Sequence, residues 1–280
     1  MRSGNLAGRL TLFTEGGAVD VERASGGRFD ADPQAVYARW AEFVEWAATA
    51  PVDSAVAFDA AELGPPAPRP AQVFAIGLNY RDHAAEAGLA LPDAPVVFTK
   101  FVSSFAGPEG EIVLTGPTVD WEVELVAVIG TAARNVPVER GWEHIAGLTV
   151  GQDVSDRTVQ SAGPAPQFSL AKSFPGFSPT GPWLVTPDAF ADPDDIALGC
   201  SIDGESVQKG RTSDLVFSVP QLVAELSAAL QLQPGDVIFT GTPAGVGMGR
   251  NPKRFLAAGQ RLDTFIEGIG EMHHRFVSPA

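Results

Sequence analysis

The sequence has one cysteine, Cys200, among its 280 residues. A lone cysteine cannot form an internal disulfide or supply a cysteine-based zinc cluster, so both kinds of site are excluded. The chain also lacks any run approaching the ~18 consecutive apolar residues of a membrane-spanning helix. Its N-terminus has no apolar stretch typical of a secretory signal. We therefore expect a soluble, cytoplasmic protein.

Basic residues are scarce as well. The chain has 19 lysines and arginines against 34 aspartates and glutamates, and its formal net charge is −15. Charge of this sign opposes nucleic acids and anionic membranes unless basic residues are clustered, and they are not. An acidic small molecule can still bind where local cations or a metal ion reverse the field. We expect a small-molecule partner, and neither a nucleic acid nor a membrane.

The first 70 residues differ in pattern from the rest. In residues 32–50 the apolar side chains have helical spacing, and Asp32 with Pro33 forms a plausible helix start. Four prolines in residues 65–70 then favour extended backbone. We interpret residues 1–70 as a small N-terminal α/β segment with a linker, and residues 71–280 as the main domain.

The main domain is dominated by short apolar runs bounded by Gly, Pro and Asp, which is typical of strands. Two helices are predicted to interrupt them. One lies in the Ala-rich residues 80–89, and the other follows Ser218 in residues 218–232, where leucines recur every four residues. The predicted fold class is therefore a β-rich α+β protein.

The run "TVDWEVELVAVIG", residues 118–130, sets two glutamates inside a strand pattern. Because side chains alternate along a strand, Glu122 and Glu124 share one face with Val126 and Val128. One interpretation is an edge strand whose outer face begins in solvent. The other is that two oxygen ligands point into one cavity.

Four further stretches bear on this choice. They are "GLNYRDHAAEAG" at 77–88, "GLTVGQDVSDRTVQ" at 147–160, "LAKSFPGFSPTGPW" at 170–183 and "FTGTPAGVG" at 239–247. In this order, and together with the glutamate run, they resemble the fumarylacetoacetate hydrolase family over residues 71–277. The resemblance implies a mixed β-sandwich roll that binds a divalent cation, usually as a homodimer.

The resemblance also implies roles for individual residues. Glu122, Glu124 and Asp153 match the metal ligands, which fits the preference of Mg²⁺ or Mn²⁺ for oxygen donors, with Ca²⁺ as a substitute in vitro. Without a cation, three carboxylates in one pocket would repel one another, so a metal should also stabilise the fold.

The same resemblance supplies the catalytic and binding residues. His83 and Glu86, three residues apart on a helix, match a water-activating pair, with a solvated helix face as the alternative. Lys172 matches the cation that stabilises developing negative charge. The predicted substrate-binding residues are Gln160, Thr242, Tyr80 and Arg157.

Two departures from the family pattern and two absent motifs bear on the predicted function. Leu78 stands where some acylpyruvate-cleaving relatives have Arg, which weakens the transfer of any particular substrate. Thr158 stands where Asp is common in the family, a change expected to alter only the hydrogen bonds behind the site residues. The glycines at 245, 247 and 249 lack the spacing of a nucleotide-binding loop. No Gly-x-Ser-x-Gly elbow is present, so a serine hydrolase is disfavoured.

The predicted function is metal-dependent hydrolysis of a carbon–carbon bond in a small β-diketo acid of the acylpyruvate or fumarylpyruvate type. The same site also suits decarboxylation of an oxaloacetate-type 2-oxo acid, or isomerisation or hydration of a hydroxymuconate-type acid. A non-catalytic protein that binds a metal and a dicarboxylate is a further alternative. A positioned base would be unnecessary there, which argues against it.

Overall fold

Most of the chain forms strands in the computed structural model, which describes residues 1–52, 54–86 and 88–279. The strands are β1 Arg2–Leu6, β2 Arg9–Thr14, β3 Gly17–Asp20, β4 Leu63–Gly64, β5 Val73–Gly77, β6 Val96–Phe98, β7 Phe105–Ala106, β8 Glu109–Val113, β9 Val119–Asp120, β10 Val123–Ile129, β11 Ile145–Gln152, β12 Ser155–Asp156, β13 Ser178–Val185, β14 Ala197–Ile202, β15 Glu205–Arg211, β16 Val237–Phe239, β17 Arg261–Ile266 and β18 Gly270–Val277. The α-helices are α1 Val21–Ala24, α2 Trp40–Ala47, α3 Arg81–Glu86, α4 Arg157–Gln160, α5 Phe168–Ala171 and α6 Val219–Ala229. Short 3₁₀ helices cover Ala35–Arg39, Ala60–Glu62, Val102–Ser104, Val138–His144, Pro187–Ala189, Thr212–Asp214 and Gly247–Gly249.

Two sheets form the body of the protein. The large sheet has the order β3-β2-β1-β13-β11-β10-β16-β5-β6, with β4 paired to β1 and β7 paired to β13. The smaller sheet has the order β15-β14-β17-β18-β8, and β9 pairs separately with β12. Strands β10, β11 and β13 of the large sheet pack against β14, β17 and β18 of the smaller one. The β-rich α+β fold class predicted from the sequence is confirmed.

Strand β10 lies in the centre of the large sheet, between β11 and β16. Its odd-numbered residues, such as Val123 and Leu125, join the core between the two sheets. Val126 and Val128 lie on the opposite face of the large sheet. They join a second core, which includes Val36 and Trp40. Both faces are therefore buried, as the apolar run predicts, and the edge-strand interpretation of the glutamates is wrong.

An α/β segment was predicted at the N-terminus, but the positions and pairing of its strands β1–β3 were not. Strand β1 pairs antiparallel with β13, with Ser3 opposite Leu184, so the N-terminal residues extend the large sheet. This pairing does not test the division of the chain at residue 70, which stays a prediction. The predicted helix is present, but regular α-helix begins only at Trp40, and Asp32 instead accepts a hydrogen bond from the Gln34 N–H in a preceding turn.

The helix predicted for residues 218–232 is confirmed as α6. Ser218 is its N-cap, and a capping box with Gln221 satisfies backbone N–H groups at its start. Leu222 and Leu226 face the inter-sheet core. Among the described residues, none of the helices combines the length and apolar character that crossing a bilayer requires.

His274 on β18 is almost fully buried, and its Nε2 lies 3.0 Å from the carbonyl oxygen of Gly107. Burial lowers the pKa of His274 to about 4, from 6.5. Between these values the unfolded chain binds a proton that the folded chain does not, so stability is lost as pH falls from 6.5 towards 4. We expect His274→Met to reduce the loss of unfolding free energy between pH 7 and 4.5 by ~2–3 kcal/mol in urea titrations. Equal pH slopes for the variant and the wild type would contradict this, and His144→Met, near the surface, is the control.

Candidate active site

The register between β10 and β11 brings three acidic side chains together. Val123 at the start of β10 lies opposite Gln152 at the end of β11. Glu122 and Asp153, one residue beyond these ends, therefore meet, and the Asp153 N–H donates to the Glu122 carbonyl at 2.9 Å. Glu124 lies on the same face of β10 as Glu122. Oxygens of the three carboxylates lie within 4.8 Å of one another, and all three residues are buried.

Two lysines neutralise part of this acidic cluster. Lys172 Nζ donates to Glu122 at 2.7 Å and to Asp153 at 2.6 Å. Burial alone would lower the pKa of Lys172, but these two carboxylates hold it above its usual value. Lys100, fully buried, donates to the other Asp153 oxygen at 2.5 Å and to the carbonyl of Lys172. A role for Lys100 was not predicted from the sequence, because Lys100 follows a short strand and no recognised motif surrounds it.

Arg157 forms a bridge on the other side of Glu122. It is the first residue of α4, whose N-cap Asp156 accepts from two backbone N–H groups and so fixes the helix start. Arg157 donates to Glu122 at 2.7 Å and to Asp120 at 2.8 Å. Burial would raise the pKa of Glu122, but Lys172 and Arg157 lower it to about 2. The third Arg157 branch donates to the Gln160 side-chain oxygen, so the Gln160 amide N–H₂ is left to donate elsewhere.

Unlike Glu122 and Asp153, Glu124 forms no ion pair with the residues that the structure describes. From these residues its carboxylate accepts one hydrogen bond, from the Gly241 N–H at 2.8 Å. Burial and the charges of Asp153 and Glu122 raise the pKa of Glu124 well above its usual value. The expected repulsion among the three acids is therefore offset at Glu122 and Asp153 and persists at Glu124. A divalent cation held by these three oxygen donors would remove it, so the residues fit a metal of the Mg²⁺ or Mn²⁺ type.

Two buried glutamines fix the strand that carries the glutamates. Gln152 accepts from the Glu122 N–H at 2.9 Å and donates to Thr264 of the smaller sheet. Gln208, on β15, accepts from the Val123 N–H at 2.9 Å and donates to Thr242 at 2.8 Å. The Thr242 hydroxyl donates to none of the described residues, so its hydrogen can be donated to a ligand. Neither glutamine was predicted, because each acts across a distance in sequence that local patterns do not report.

His83 and Glu86 are paired on α3, as predicted from their spacing. His83 Nδ1 lies 3.1 Å from one Glu86 oxygen, and the other oxygen accepts from the Gly245 N–H at 3.0 Å. Burial would raise the pKa of Glu86, but the bonds to His83 and Gly245 hold it below its usual value. An ionised Glu86 bonded to Nδ1 favours the tautomer with the proton on that nitrogen, leaving Nε2 as a base.

The glycine loop after β16 has a structural explanation. A Cβ at Gly245, where φ is +108°, would lie 2.3 Å from the carbonyl oxygen of Val207. A Cβ at Gly249 would lie 2.5 Å from the Glu86 carboxyl carbon. Asp120 accepts from the N–H groups of Gly247 and Met248 and also from Arg157, so it links this loop to the arginine that is bonded to Glu122. The glycines permit close packing on Glu86.

This contact predicts the effect of Gly249→Ala. The added methyl must displace the Glu86 carboxylate, break its bond to Gly245 and release His83. A misplacement of ~1 Å in an active site can lower a rate by ~10²-fold. We expect turnover to fall at least ~10-fold and the His83 ring resonances to shift in NMR spectra. Gly116→Ala is the matched control, since its Cβ would meet only an Asp156 oxygen, at 3.5 Å. Unchanged resonances and turnover in Gly249→Ala would show that Glu86 moves without consequence.

One cavity, with a volume of about 740 Å³, connects these groups. Of the ten site residues predicted from the sequence, nine line it: His83, Glu86, Glu122, Glu124, Asp153, Arg157, Gln160, Lys172 and Thr242. Tyr80 does not. It is fully buried in the inter-sheet core, and its hydroxyl has no hydrogen-bond partner among the described residues. The structure therefore corrects the placement of Tyr80, which the neighbouring motif had suggested for substrate binding.

Apolar side chains form much of the remaining wall, including Phe98, Phe168 and Met248. Leu78 also lines the cavity, with a backbone φ of +54° that is unusual for a leucine. At this position some relatives carry an arginine, and here the wall is apolar instead.

The sequence and fold match proteins that have been studied elsewhere. The family model "Fumarylacetoacetate (FAA) hydrolase C-terminal" matches residues 72–277. A Mycobacterium smegmatis protein provisionally named HpcE is 58% identical, with a TM-score of 0.97 over 100% of both chains. A 5-carboxymethyl-2-hydroxymuconate delta-isomerase from the same species is 37% identical, with a TM-score of 0.65, over 75% of this chain and 78% of its own.

A third structure is the maleylpyruvate hydrolase of Sphingobium sp. SYK-6, which was solved with manganese (II) ion and pyruvate. It is 27% identical, with a TM-score of 0.81 over 100% of both chains. The family model thus covers most of the chain, and the fold agrees with that of the matched structures. The chain belongs to the fumarylacetoacetate hydrolase family.

Proposed function

We propose that this protein is a Mg²⁺- or Mn²⁺-dependent hydrolase that cleaves a carbon–carbon bond in a small β-diketo acid of the acylpyruvate or fumarylpyruvate type. The observation that carries the proposal is that a hydrogen-bonded His83–Glu86 pair and the three-carboxylate cluster line the same cavity. A cluster that only bound a metal and an acid would have no use for an oriented base. The maleylpyruvate hydrolase with Mn(II) and pyruvate supports a 2-oxo acid as the ligand.

In this mechanism Glu122, Glu124 and Asp153 would hold the metal ion. The bound cation would polarise the 2-oxo acid end of the substrate and stabilise negative charge on its oxygens. His83 Nε2 would take a proton from the attacking water, with Glu86 stabilising the imidazolium. Lys172 uses two of its three N–H groups on Glu122 and Asp153. Its third N–H and the Gln160 amide have no acceptor among the described residues and would donate to an oxyanion.

A second candidate is isomerisation or decarboxylation at the same metal site. The 37% identity to a delta-isomerase favours isomerisation. That reaction needs only an enolate and a group that carries the proton. Both candidates use the acidic cluster, and they differ in what His83 must do. Assembly as a homodimer also stays a prediction from the family resemblance.

The test is a turnover screen of metal-free protein to which Mg²⁺ or Mn²⁺ is added back. The substrates are acetylpyruvate, fumarylpyruvate, oxaloacetate and a hydroxymuconate-type acid. Metal-dependent cleavage of a diketo acid to two acids supports the proposal. Turnover of oxaloacetate alone, or isomerisation alone, would replace it with the second candidate, and metal-dependent binding without turnover would indicate a binding protein.

A further inference from the structure

Lys100 is a buried lysine that lies behind the acidic cluster. Its side chain is 0% exposed, and it is absent from the wall that the described residues form around the cavity. Its Nζ donates to Asp153 Oδ1 at 2.5 Å and to the carbonyl oxygen of Lys172. Nζ also lies over the ring of Phe239, 5.7 Å from its centre. Enclosed in this way, Lys100 contacts neither a substrate nor the attacking water, so a role in the reaction must act through Asp153 or Lys172.

Asp153 has a counter-charge without Lys100. Lys172 already pairs with Asp153, through the other carboxylate oxygen at 2.6 Å. Burying an ammonium group is costly, because it loses its hydration. What Lys100 adds is a second fixed donor. With one lysine on each oxygen, the Asp153 carboxylate cannot rotate without breaking a hydrogen bond. Each carboxylate oxygen has two lone pairs, so the two lysine bonds still leave lone pairs for a cation.

The second hydrogen bond of Lys100 holds the main chain that carries Lys172. Lys172 is the C-cap residue of α5, Phe168–Ala171, and a helix of four residues is too short to fix its own end. Beside the bond from Lys100 to the Lys172 carbonyl, the Phe101 N–H donates to the Ser173 hydroxyl oxygen at 3.0 Å. Residues 100 and 101 thus bind residues 172 and 173 through consecutive hydrogen bonds. This contact fixes the position from which the Lys172 side chain enters the acidic cluster.

We propose that Lys100 is a positioning residue, which holds the Asp153 carboxylate and the Lys172 main chain in one fixed arrangement. The inference rests on the proposed function, in which Asp153 would hold the metal ion and Lys172 would stabilise an oxyanion. Neither group then shifts independently of the other as charge develops on the substrate. A misplacement of ~1 Å in an active site can lower a rate by ~10²-fold, so the loss of this link should have a large effect on turnover.

The competing explanation is that Lys100 only offsets the negative charge of the buried cluster. The two explanations predict opposite changes in metal affinity when Lys100 is replaced by methionine, which has a similar length and no charge. Removing a positive charge beside a cation site strengthens cation binding, because it removes a repulsion. Releasing a metal ligand from the group that orients it typically lowers metal affinity or activity by ~10- to 100-fold. The sign of the change in affinity therefore distinguishes the two explanations.

The first experiment is calorimetric titration of metal-free Lys100→Met with Mn²⁺, at a temperature where circular dichroism shows the variant to be folded. We expect its Mn²⁺ affinity to be at least ~10-fold below that of the wild type. At saturating Mn²⁺, kcat should fall at least ~10-fold while KM changes less than ~3-fold, because an oxyanion is stabilised only in the transition state. Wild-type or tighter Mn²⁺ binding together with a wild-type kcat would overturn the inference.

A second pair of variants tests the same link without changing any charge. Phe101→Pro removes the N–H that donates to Ser173, and the Phe101 φ of −83° lies close to the range that proline adopts. Phe101→Ala is the matched control, because it removes the same exposed ring and keeps the N–H. We expect kcat of Phe101→Pro to be at least ~3-fold below that of Phe101→Ala, with equal Mn²⁺ affinities. Where Lys100→Met does not fold, equal kcat values in these two variants overturn the inference.

Failure of this inference can be told apart from failure of the proposed function. Mn²⁺ affinity is measured without substrate, and the kcat comparison uses acetylpyruvate or oxaloacetate, whichever the wild type turns over. Turnover of oxaloacetate alone rejects the hydrolase and keeps the Lys100 test, since metal binding and stabilised negative charge serve both reactions. Unchanged Mn²⁺ affinity and kcat in Lys100→Met, with acetylpyruvate cleaved by variant and wild type, reject the positioning role alone.

Discussion

Asp153→Asn should weaken Mn²⁺ binding at least ~10-fold and reduce metal-dependent turnover to background. Asp153 is one of three carboxylates within 4.8 Å of one another, and an amide is a neutral and poorer ligand for a hard cation. Loss of a residue that only orients a metal ligand already costs ~10- to 100-fold in affinity or activity. Calorimetric titration of the metal-free protein with Mn²⁺ measures the affinity directly.

The Asp153 substitution also disturbs two lysines, and the design must account for this. Lys100 and Lys172 are buried and each donates to one Asp153 oxygen, so removing the charge leaves both under-compensated. Breaking a buried ion pair typically costs ~3–5 kcal/mol, and the variant must be shown to fold at the assay temperature. Asn is preferred to Ala because its side-chain oxygen can still accept from one lysine.

Asp236→Asn is the matched control. Asp236 is equally buried, but it lies immediately before β16 and accepts hydrogen bonds from Gln72 and the Gln233 N–H. Its loss should lower stability without changing Mn²⁺ affinity. Wild-type Mn²⁺ affinity in a folded Asp153→Asn protein would mean that the acidic cluster does not hold the metal.

The sequence predicted the strand that carries the glutamates, and the reason is the regularity of its pattern. Alternation assigned Val123 and Leu125 to one face and Val126 and Val128 to the other, and each set packs in a different core. The strand's central position was not predictable in the same way. It depends on pairing with β11 and β16, and β16 is more than 100 residues away.

The positions of the N-terminal strands were not predicted for a related reason. Strands β1 and β2 are joined by Ala7 and Gly8, both with positive φ, in a tight turn for which Ala is an unusual first residue. A typical Asn-Gly or Asp-Gly signal is absent. The pairing of β1 with β13 joins residues about 180 positions apart, and no local pattern reports such a contact.

In the site, too, residues that stand in motifs were predicted, and residues that act through packing were not. Carboxylates, histidine and the loop lysine stand in recognisable motifs, and nine of the predicted residues line the cavity. Lys100, Gln152 and Gln208 act on backbone or buried charge from other elements, so their importance follows from packing alone. Tyr80 was assigned to substrate binding from the family resemblance, but its side chain lies in the core.

His83→Ala should separate hydrolysis from decarboxylation in one protein. Hydrolysis requires a base to activate water, whereas a chelated 2-oxo dicarboxylate can lose CO₂ once negative charge on its oxygens is stabilised. We expect cleavage of acylpyruvates to fall ~10²-fold or more, in the range usual for losing a general base. Oxaloacetate decarboxylation, where present, should fall much less, and Mn²⁺ affinity should be unchanged because His83 is not among the clustered ligands.

The structure makes this prediction sharper than the residue spacing alone does. Glu86 is bonded both to His83 and to the Gly245 N–H, so it stays in place when the imidazole is removed. Added imidazole should then recover part of the activity in His83→Ala, because the orienting carboxylate and the space left by the ring both persist. His144→Ala, which removes a histidine from outside the cavity, should change neither rate and controls for nonspecific effects.

The two rates decide between the candidate functions. A large loss of acylpyruvate cleavage with imidazole recovery identifies His83 as the base of a hydrolase. Wild-type cleavage in His83→Ala would mean that the His83–Glu86 pair is a surface feature of α3, and water activation would then have to come from the metal site alone. If the wild type decarboxylates oxaloacetate and cleaves no diketo acid, the second candidate replaces the first, because the acidic cluster with Lys172 suffices for that reaction and His83 has no proton to take from water.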